Sequence, residues 1–450
     1  MVGCQSEDKP TTSDSPAAEA ETISSNSDSE TASEAPQASN NQPQSDGQQS
    51  QATADARPSI VVDSPQPVLF VPPDLSIEEI RDGWISLFDG ISLYGWEKPG
   101  TANWRVEDGS IVADQGDVSL LSTPFAFGDF EFRCQFQLEA GGNSGVFLRT
   151  AADPANPATD TYELNICDDH PDFPTGSLVG RIKVDDVPEV TGDWHEFYVV
   201  CDGNKITVEL DGRRILDFTD SGEHVRKAGS IGLQFNKGRI AFRDVFLRPL
   251  NQQALFNGAD QEGWHEVPGG KSKFQVSDGI LKVQDGPGFL ETDQTFDDFI
   301  LHIEANIHDQ KAIADNRPAN SGVFFRTLRG TEDAPSHGYE MQIQHDFKDG
   351  DRSAPLDFGS GAIYRRKEAR YVVANNNEWV VQTLIAQHNR FATFVNGYQV
   401  LMWIDDRKPD ENPRKGQRLE AGHISLQGHD PTTDIEIRSI RLLELPAVPQ

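Results

Sequence analysis

Asn143-Ser-Gly-Val-Phe-Leu-Arg-Thr150 returns almost unchanged as Asn320-Ser-Gly-Val-Phe-Phe-Arg-Thr327, and the same spacing carries Tyr162-Glu163 onto Tyr339-Glu340. A repeat this long is a duplicated domain, since solenoid units are far shorter. Each copy is long enough to bury a core of its own. One fold and one kind of site are therefore presented twice, and the differences between the copies carry information.

Around the repeated motif the signal is almost entirely β. Phe130, Phe132, Cys134, Phe136 and Leu138 alternate with Glu131, Arg133, Gln135, Gln137 and Glu139, which describes a strand with one buried and one wet face. Its counterpart runs through Phe299, Leu301, Ile303, Ala305 and Ile307, with His302, Glu304, Asn306 and His308 between them. Asp108-Gly109, Asp202-Gly203, Asp211-Gly212, Asp278-Gly279 and Asn396-Gly397 are hairpin-turn dipeptides, because both residue types tolerate positive φ. Only Ser76-Ile-Glu-Glu79 reads as a helix start, with capping-box spacing. The expected fold is all-β: two tandem jelly-roll sandwiches, over residues 83–250 and 253–445, after a polar tail over 1–75. The short joint between the copies predicts that they touch. Copy two is longer near Arg365 to Asn377 and Asp405 to Arg418, charged stretches that read as loops.

The net charge of −33 argues against nucleic-acid binding, which needs a basic footprint, and is compatible with a neutral ligand such as a sugar. Part of it lies in the tail, where acids from Glu7 to Asp74 face only Lys9 and Arg57. Residues 5 to about 57 are poor in large apolar side chains and read as disordered. Met1-Val-Gly-Cys4-Gln5 is similar to the end of a bacterial lipoprotein signal, without its hydrophobic core. A lipid anchor at Cys4, with an extracytoplasmic location, is one reading; an incidental thiol is the other. That anchor would be the sole membrane association, since no apolar stretch of about 20 residues exists. Cys134 and Cys201 read as packing residues, with a bridge between them open in an oxidising compartment.

Strand alternation sorts the repeated residues by face. Glu340, Gln342 and Gln344 share one face, and Phe324 and Arg326 share another. Copy one repeats this with Glu163, Asn165 and Cys167, and with Phe147 and Arg149. Carboxylates, amides and Arg bind hydroxyl groups, and an aromatic ring can stack on a sugar. A solvated sheet face with a surface ion pair is the bland alternative.

The ordered motifs resemble a known family. They are Leu87-Phe-Asp-Gly90, Gly95-Trp96, Trp104-Arg-Val-Glu-Asp-Gly109, Gly128-Asp-Phe-Glu-Phe132, Asn143 to Arg149, Tyr162-Glu163, Gly192-Asp-Trp-His195 and Gly229-Ser-Ile-Gly-Leu-Gln234. Copy two answers with Leu255-Phe-Asn-Gly258, Gly263-Trp264, Asn320 to Arg326, Gly338-Tyr-Glu340, Glu378-Trp379 and Gly422-His-Ile-Ser-Leu-Gln427. The set is similar to the 3-keto-disaccharide hydrolase domain. The resemblance implies a concanavalin A-like jelly roll and a bacterial, extracytoplasmic protein acting on sugars oxidised at carbon 3. The family's Leu-Gln-x-His-Gly is present in copy two as Leu426-Gln-Gly-His429, with Asp430 in place of Gly. Copy one has Asn236 in place of the His, and Asn165 where copy two has Gln342.

A 3-keto group acidifies the proton on carbon 2. Its removal and the loss of the glycosidic oxygen need one base and one positive group near the oxyanion. The candidates are Glu340 or His429 as base and Arg326 as oxyanion partner. Gln342, Gln344, Phe324, Glu163, Arg149, Asn165 and Phe147 are candidates for binding the 3-keto-glycoside. No cofactor is implied. Glu340, His345, Asp346 and His429 are metal-ligand types, but no spacing is diagnostic and no metal is assigned. Activity is expected mainly in copy two. The rival reading is a non-catalytic carbohydrate-binding or surface-attachment protein, and a third makes copy one a binding module serving copy two.

Overall fold

The computed structural model describes residues 70–98, 100–412 and 414–446. Cys4 and the 5–57 stretch lie outside them. Of the expected 1–75 tail, residues 70–75 are described, and Phe70 stacks on Tyr371 with ring centroids 4.8 Å apart. No helix among the described residues is long and apolar enough to cross a membrane. The short helix Ile77–Asp82 starts in the expected capping box, with Ser76 and Glu79 bonded reciprocally.

The rest is two antiparallel sandwiches. In the first, the larger sheet runs Arg213–Thr219, Lys205–Leu210, His195–Asp202, Phe130–Leu138, Ile240–Pro249, Ser110–Ala113 and Arg105–Glu107. It faces a smaller sheet of Ser119–Ser122, Ser230–Lys237, Asn143–Thr150 and Tyr162–Ile166. In the second, the larger sheet runs Lys273–Ser277, Ile280–Gln284, Asp434–Glu444, Phe299–Ile307, Val380–Gln387, Arg390–Val395 and Tyr398–Ile404. Its smaller sheet is Trp264–Glu266, Gly288–Thr292, His423–Gly428, Ser321–Leu328 and His337–Ile343. Four of the five expected dipeptides turn with both residues at positive φ; at Asp202-Gly203 only the glycine does so.

Phe130–Leu138 alternates buried and half-exposed as its sequence predicts. Phe299–Ile307 does not: all nine of its residues are buried. His302, Glu304 and Asn306, expected to be wet, are buried, and Glu304 is held by Arg81 of the helix Ile77–Asp82 at 2.9 Å and by Arg438. Ile300, Ile385 and Phe394 of the second sandwich join the first sandwich's core. The amide of Gln387 bonds both the backbone N–H and the carbonyl of Ala126, and Arg370 pairs with Asp89 at 2.7 Å. Burial drives the His302 imidazole down to about 3, so it is neutral at physiological pH. Cys134 and Cys201 are free, buried thiols that pack the first core, so the open disulfide reading is answered in favour of packing.

Candidate active site on the smaller sheet of the second sandwich

The register of the smaller sheet fixes which side chains meet. Phe324 is paired with Glu340 on one side and with Ser425 on the other. Ser425 is paired with Glu291, and Glu291 with His265. Directly opposed residues share a face. One outward row therefore reads His265, Glu291, Ser425, Phe324, Glu340. The next row contains Phe289, Gln427, Gly322 and Gln342.

Glu340 folds over Gly322. A side chain on that glycine would stand 2.8 Å from Glu340 Oε1. Only 8% of Glu340 is exposed, and its carboxylate has no hydrogen-bond partner among the described residues. Burial lifts its pKa from 4.5 to about 7, against a counter-pull from Arg414 and Arg365. Both arginines are exposed at the rim. Gln342 is buried and donates Nε2 to the carbonyl of Asp357 at 3.0 Å, while its Oε1 is unpartnered. The Oε1 of Gln427 is likewise buried and unpartnered. Phe324 and Phe289 meet edge to face at 5.3 Å. The notch is thus walled by a desolvated carboxylate, two amides with spare acceptors and an aromatic pair.

Arg326 does not face this notch. The strand slips register after Phe325, and Arg326 takes φ +49. Its guanidinium turns away and is fully buried. It donates to the carbonyls of Asp297 (3.1 Å), His388 (2.5 Å) and Arg418 (3.0 Å) and to Asp298 Oδ1 (2.8 Å). Arg149, at φ +50, does the same with Gly128, Gly203, Arg226 and Asp129. The bulged backbone presses so closely on the next strand that a Cβ at Gly422 would lie 2.4 Å from Arg326 C, and one at Gly229 2.2 Å from Arg149 C. The repeated arginine is a clamp on three loop ends, so the oxyanion and sugar-binding roles expected for Arg326 and Arg149 have no exposed donor behind them.

The remaining candidates are dispersed. Gln344 is fully buried, its amide engaged by Asp346. His429 lies past the end of its strand, 40% exposed beside Asp430. It is four residues beyond Ser425, hence about 13 Å along the strands and two strands across from Glu340. His345 is buried against Ser360 at 2.8 Å, and burial holds it down to about 4. Among the described residues no three His, Cys, Asp or Glu side chains gather as a metal would need.

The first sandwich repeats the notch in a closed form. Phe147 is paired with Glu163, and Gly145 with Asn165 and Gln234. Gln234 Nε2 donates to Glu163 Oε1 at 3.1 Å, occupying the carboxylate that its counterpart leaves free. Burial still raises the Glu163 pKa, with the Gln234 bond pulling it down. Asn165 donates to the carbonyl of Phe173, so its amide holds a loop. Ser122 occupies the place of Glu291.

Sequence reasoning missed Gly322, Arg365 and Arg414. Strand alternation already sets Gln427 on the outward face with His423 and Ser425, though not as a sugar ligand. The two arginines sit on or beside charged segments of copy two that read as plain loops. The equivalent bridges Leu164 to Leu178 and Met341 to Ile363 show that the first added stretch lies before Arg365, between Gln344 and Ile363, and not after it.

Fold and site together define a tandem all-β sandwich protein with a buried carboxylate, Glu163 or Glu340, at the same place on the smaller sheet of each copy. The chain belongs to the 3-keto-alpha-glucoside-1,2-lyase-like domain family, whose model matches residues 83–248 and 251–443. It is 24% identical over 170 residues to a 3-keto-disaccharide hydrolase of Bacteroides thetaiotaomicron, covering 30% of this chain and 59% of that relative's length. Among solved structures, a Parabacteroides distasonis ATCC 8503 protein is 21% identical, covering 39% of this chain and 98% of that one, with a TM-score of 0.36. The Bacillus subtilis carbohydrate-binding module CBM66 is 20% identical, covering 34% and 95%, with a TM-score of 0.28.

Proposed function

We propose that the second sandwich hydrolyses glycosidic bonds of 3-keto sugars by elimination and hydration, with Glu340 as the base. The observation that carries this reading is the state of Glu340: buried, unpartnered and titrating near neutrality, as a general base should. An ordinary glycosidase needs two carboxyl groups about 5–10 Å apart. The other carboxylate on this face, Glu291, is three strands away, about 14 Å. It is fully buried and spent on Gly330 N (3.1 Å), His265 (3.2 Å) and Arg329 (3.4 Å). A single base suits a substrate whose own ketone makes carbon 2 acidic. Glu340 takes that proton, the electron pair expels the oxygen on carbon 1, and water adds back at carbon 1 as carbon 2 regains a proton. The family and the curated relative support the same chemistry.

The Gln234–Glu163 bond favours a second role for the first sandwich, as a sugar-binding and non-catalytic partner. The test is incubation with 3-keto-trehalose and 3-keto-lactose beside the unoxidised disaccharides. Free 3-keto-glucose should form from the former alone. Binding without cleavage would favour the carbohydrate-binding alternative.

A further inference from the structure

The chain beyond Glu340's strand folds back along it. Met341 bridges Ile363, and the N–H of Tyr364 donates to the carbonyl of Glu340 at 2.9 Å. Tyr364 therefore extends the outward row past Glu340, and Arg365 follows it. In the first sandwich Leu164 bridges Leu178, and Val179 N donates to the carbonyl of Glu163 at 3.0 Å. Val179 and Gly180 thus stand where Tyr364 and Arg365 stand. The turn is left-handed in both copies, with φ +71 at Gly180 and +58 at Arg365. Glycine adopts that conformation freely; arginine is strained in it. Strain of this kind persists where the surrounding structure enforces it, often at functional sites.

Of the neighbouring arginines, Arg370 is committed to Asp89, Arg407 to Asp405 and Arg366 to the carbonyl of Arg414, while Arg414, whose charge also reaches Glu340, has no side-chain partner among the described residues. The guanidinium of Arg365 makes no ion pair and no hydrogen bond among the described residues. It lies 5.3 Å from the Tyr364 ring centroid, and that ring meets Phe358 edge-on at 5.2 Å. Its charge reaches Glu340 strongly enough to favour the carboxylate form. A strained, uncommitted, five-donor cation beside the base, over an aromatic face, is absent from the copy whose carboxylate is occupied.

We propose that Arg365 is the group that distinguishes a 3-keto sugar from its parent, its guanidinium donating to the oxygen on carbon 3 while Tyr364 supports the ring. This rests on the hydrolase reading above. When the bond from carbon 2 to hydrogen breaks, the proton passes to Glu340 and the pair moves into the bond between carbons 2 and 3. The carbonyl pair moves to oxygen, and Arg365 holds the resulting enolate. Its collapse reforms the ketone and breaks the bond from carbon 1 to the leaving oxygen, which takes up a proton.

The test is calorimetry in the Glu340→Gln protein, which binds without turnover, using methyl 3-keto-glucoside and methyl glucoside. The ketone should bind at least about ten-fold tighter, the scale of one hydrogen bond to a charged group. Adding Arg365→Gly, the residue of the first copy and a relief of backbone strain, should abolish that preference and leave affinity for the parent within two-fold. Arg365→Lys should restore part of it. A preference that survives Arg365→Gly, or no preference in the Glu340→Gln protein, overturns the assignment. If the preference is present and lost as described while the unaltered protein cleaves no 3-keto glycoside, the hydrolase reading fails and the Arg365 assignment stands.

Discussion

Gly322 and Glu340 form one unit: the missing side chain of the glycine is the space into which the carboxylate folds. A Cβ there would stand 2.8 Å from Oε1 and 3.0 Å from Cγ of Glu340. At Gly145 the matching distances are 3.5 Å to Glu163 Cγ and 3.6 Å to Gln234 Oε1. The same glycine thus opens a notch in both sandwiches, and only in the second is the carboxylate left without a partner among the described residues.

Gly322→Ala should displace that carboxylate by a fraction of its length. Since a misplacement of about 1 Å can cost about 10²-fold, turnover should fall by at least about ten-fold. Stability should drop by only about 1–3 kcal/mol, the usual cost of overpacking. Steady-state kinetics and a thermal melt check both, and undiminished turnover would mean that Glu340 acts from a different position.

Glu340 should cost the fold stability above neutrality. Below its ordinary pKa of 4.5 both folded and unfolded states hold the proton, and the carboxyl carries no penalty. As pH rises, the unfolded chain ionises first, so folded stability declines until about pH 7, where the folded group ionises too. The accumulated loss is about 3 kcal/mol. Glu340→Gln cannot ionise. It should match the unaltered protein near pH 4 and exceed it by up to that amount at pH 8 in chemical denaturation, while kcat/KM of the unaltered protein rises with pH through about 7. A difference independent of pH would contradict the burial account.

Arg326→Met and Arg149→Met should each destabilise by about 3–5 kcal/mol, because each leaves three carbonyls without their donor and removes the cation from a half-buried carboxylate. Equal losses in the two copies, measured by denaturant unfolding, mark a shared clamp. A stable Arg326→Met protein with impaired turnover would restore its chemical role.

Much of the fold was legible because period-two alternation and Asp-Gly turns are local properties. The faces of Glu340, Gln342 and Phe324 followed from the same alternation. Arg326 escaped it because a single bulge inverts parity, and bulges leave no reliable trace in one sequence. His302 and Glu304 looked solvated because the groups gathered over them, Arg81 of the helix Ile77–Asp82 and Arg438 or Arg441, come from distant parts of the chain. Arg365 and Arg414 were invisible as site residues because their approach to Glu340 depends on loops folding back over a sheet edge, a tertiary event with no periodic signature.

Glu163→Gln in the first sandwich should leave turnover within a few-fold, since Gln234 already holds that carboxylate at 3.1 Å. Its expected effect is on sugar binding, read as a weaker second site in calorimetry. A loss of turnover comparable with Glu340→Gln would assign catalysis to both copies.

The most direct measurement follows the proton itself. In deuterated water, the 3-keto-glucose released from a 3-keto disaccharide should carry deuterium at carbon 2, formed well above the rate without protein. Glu340→Gln should suppress both label and product by about 10²–10⁴-fold, the range for losing a general base. Product released without deuterium at carbon 2, or at an undiminished rate from Glu340→Gln, would contradict the account.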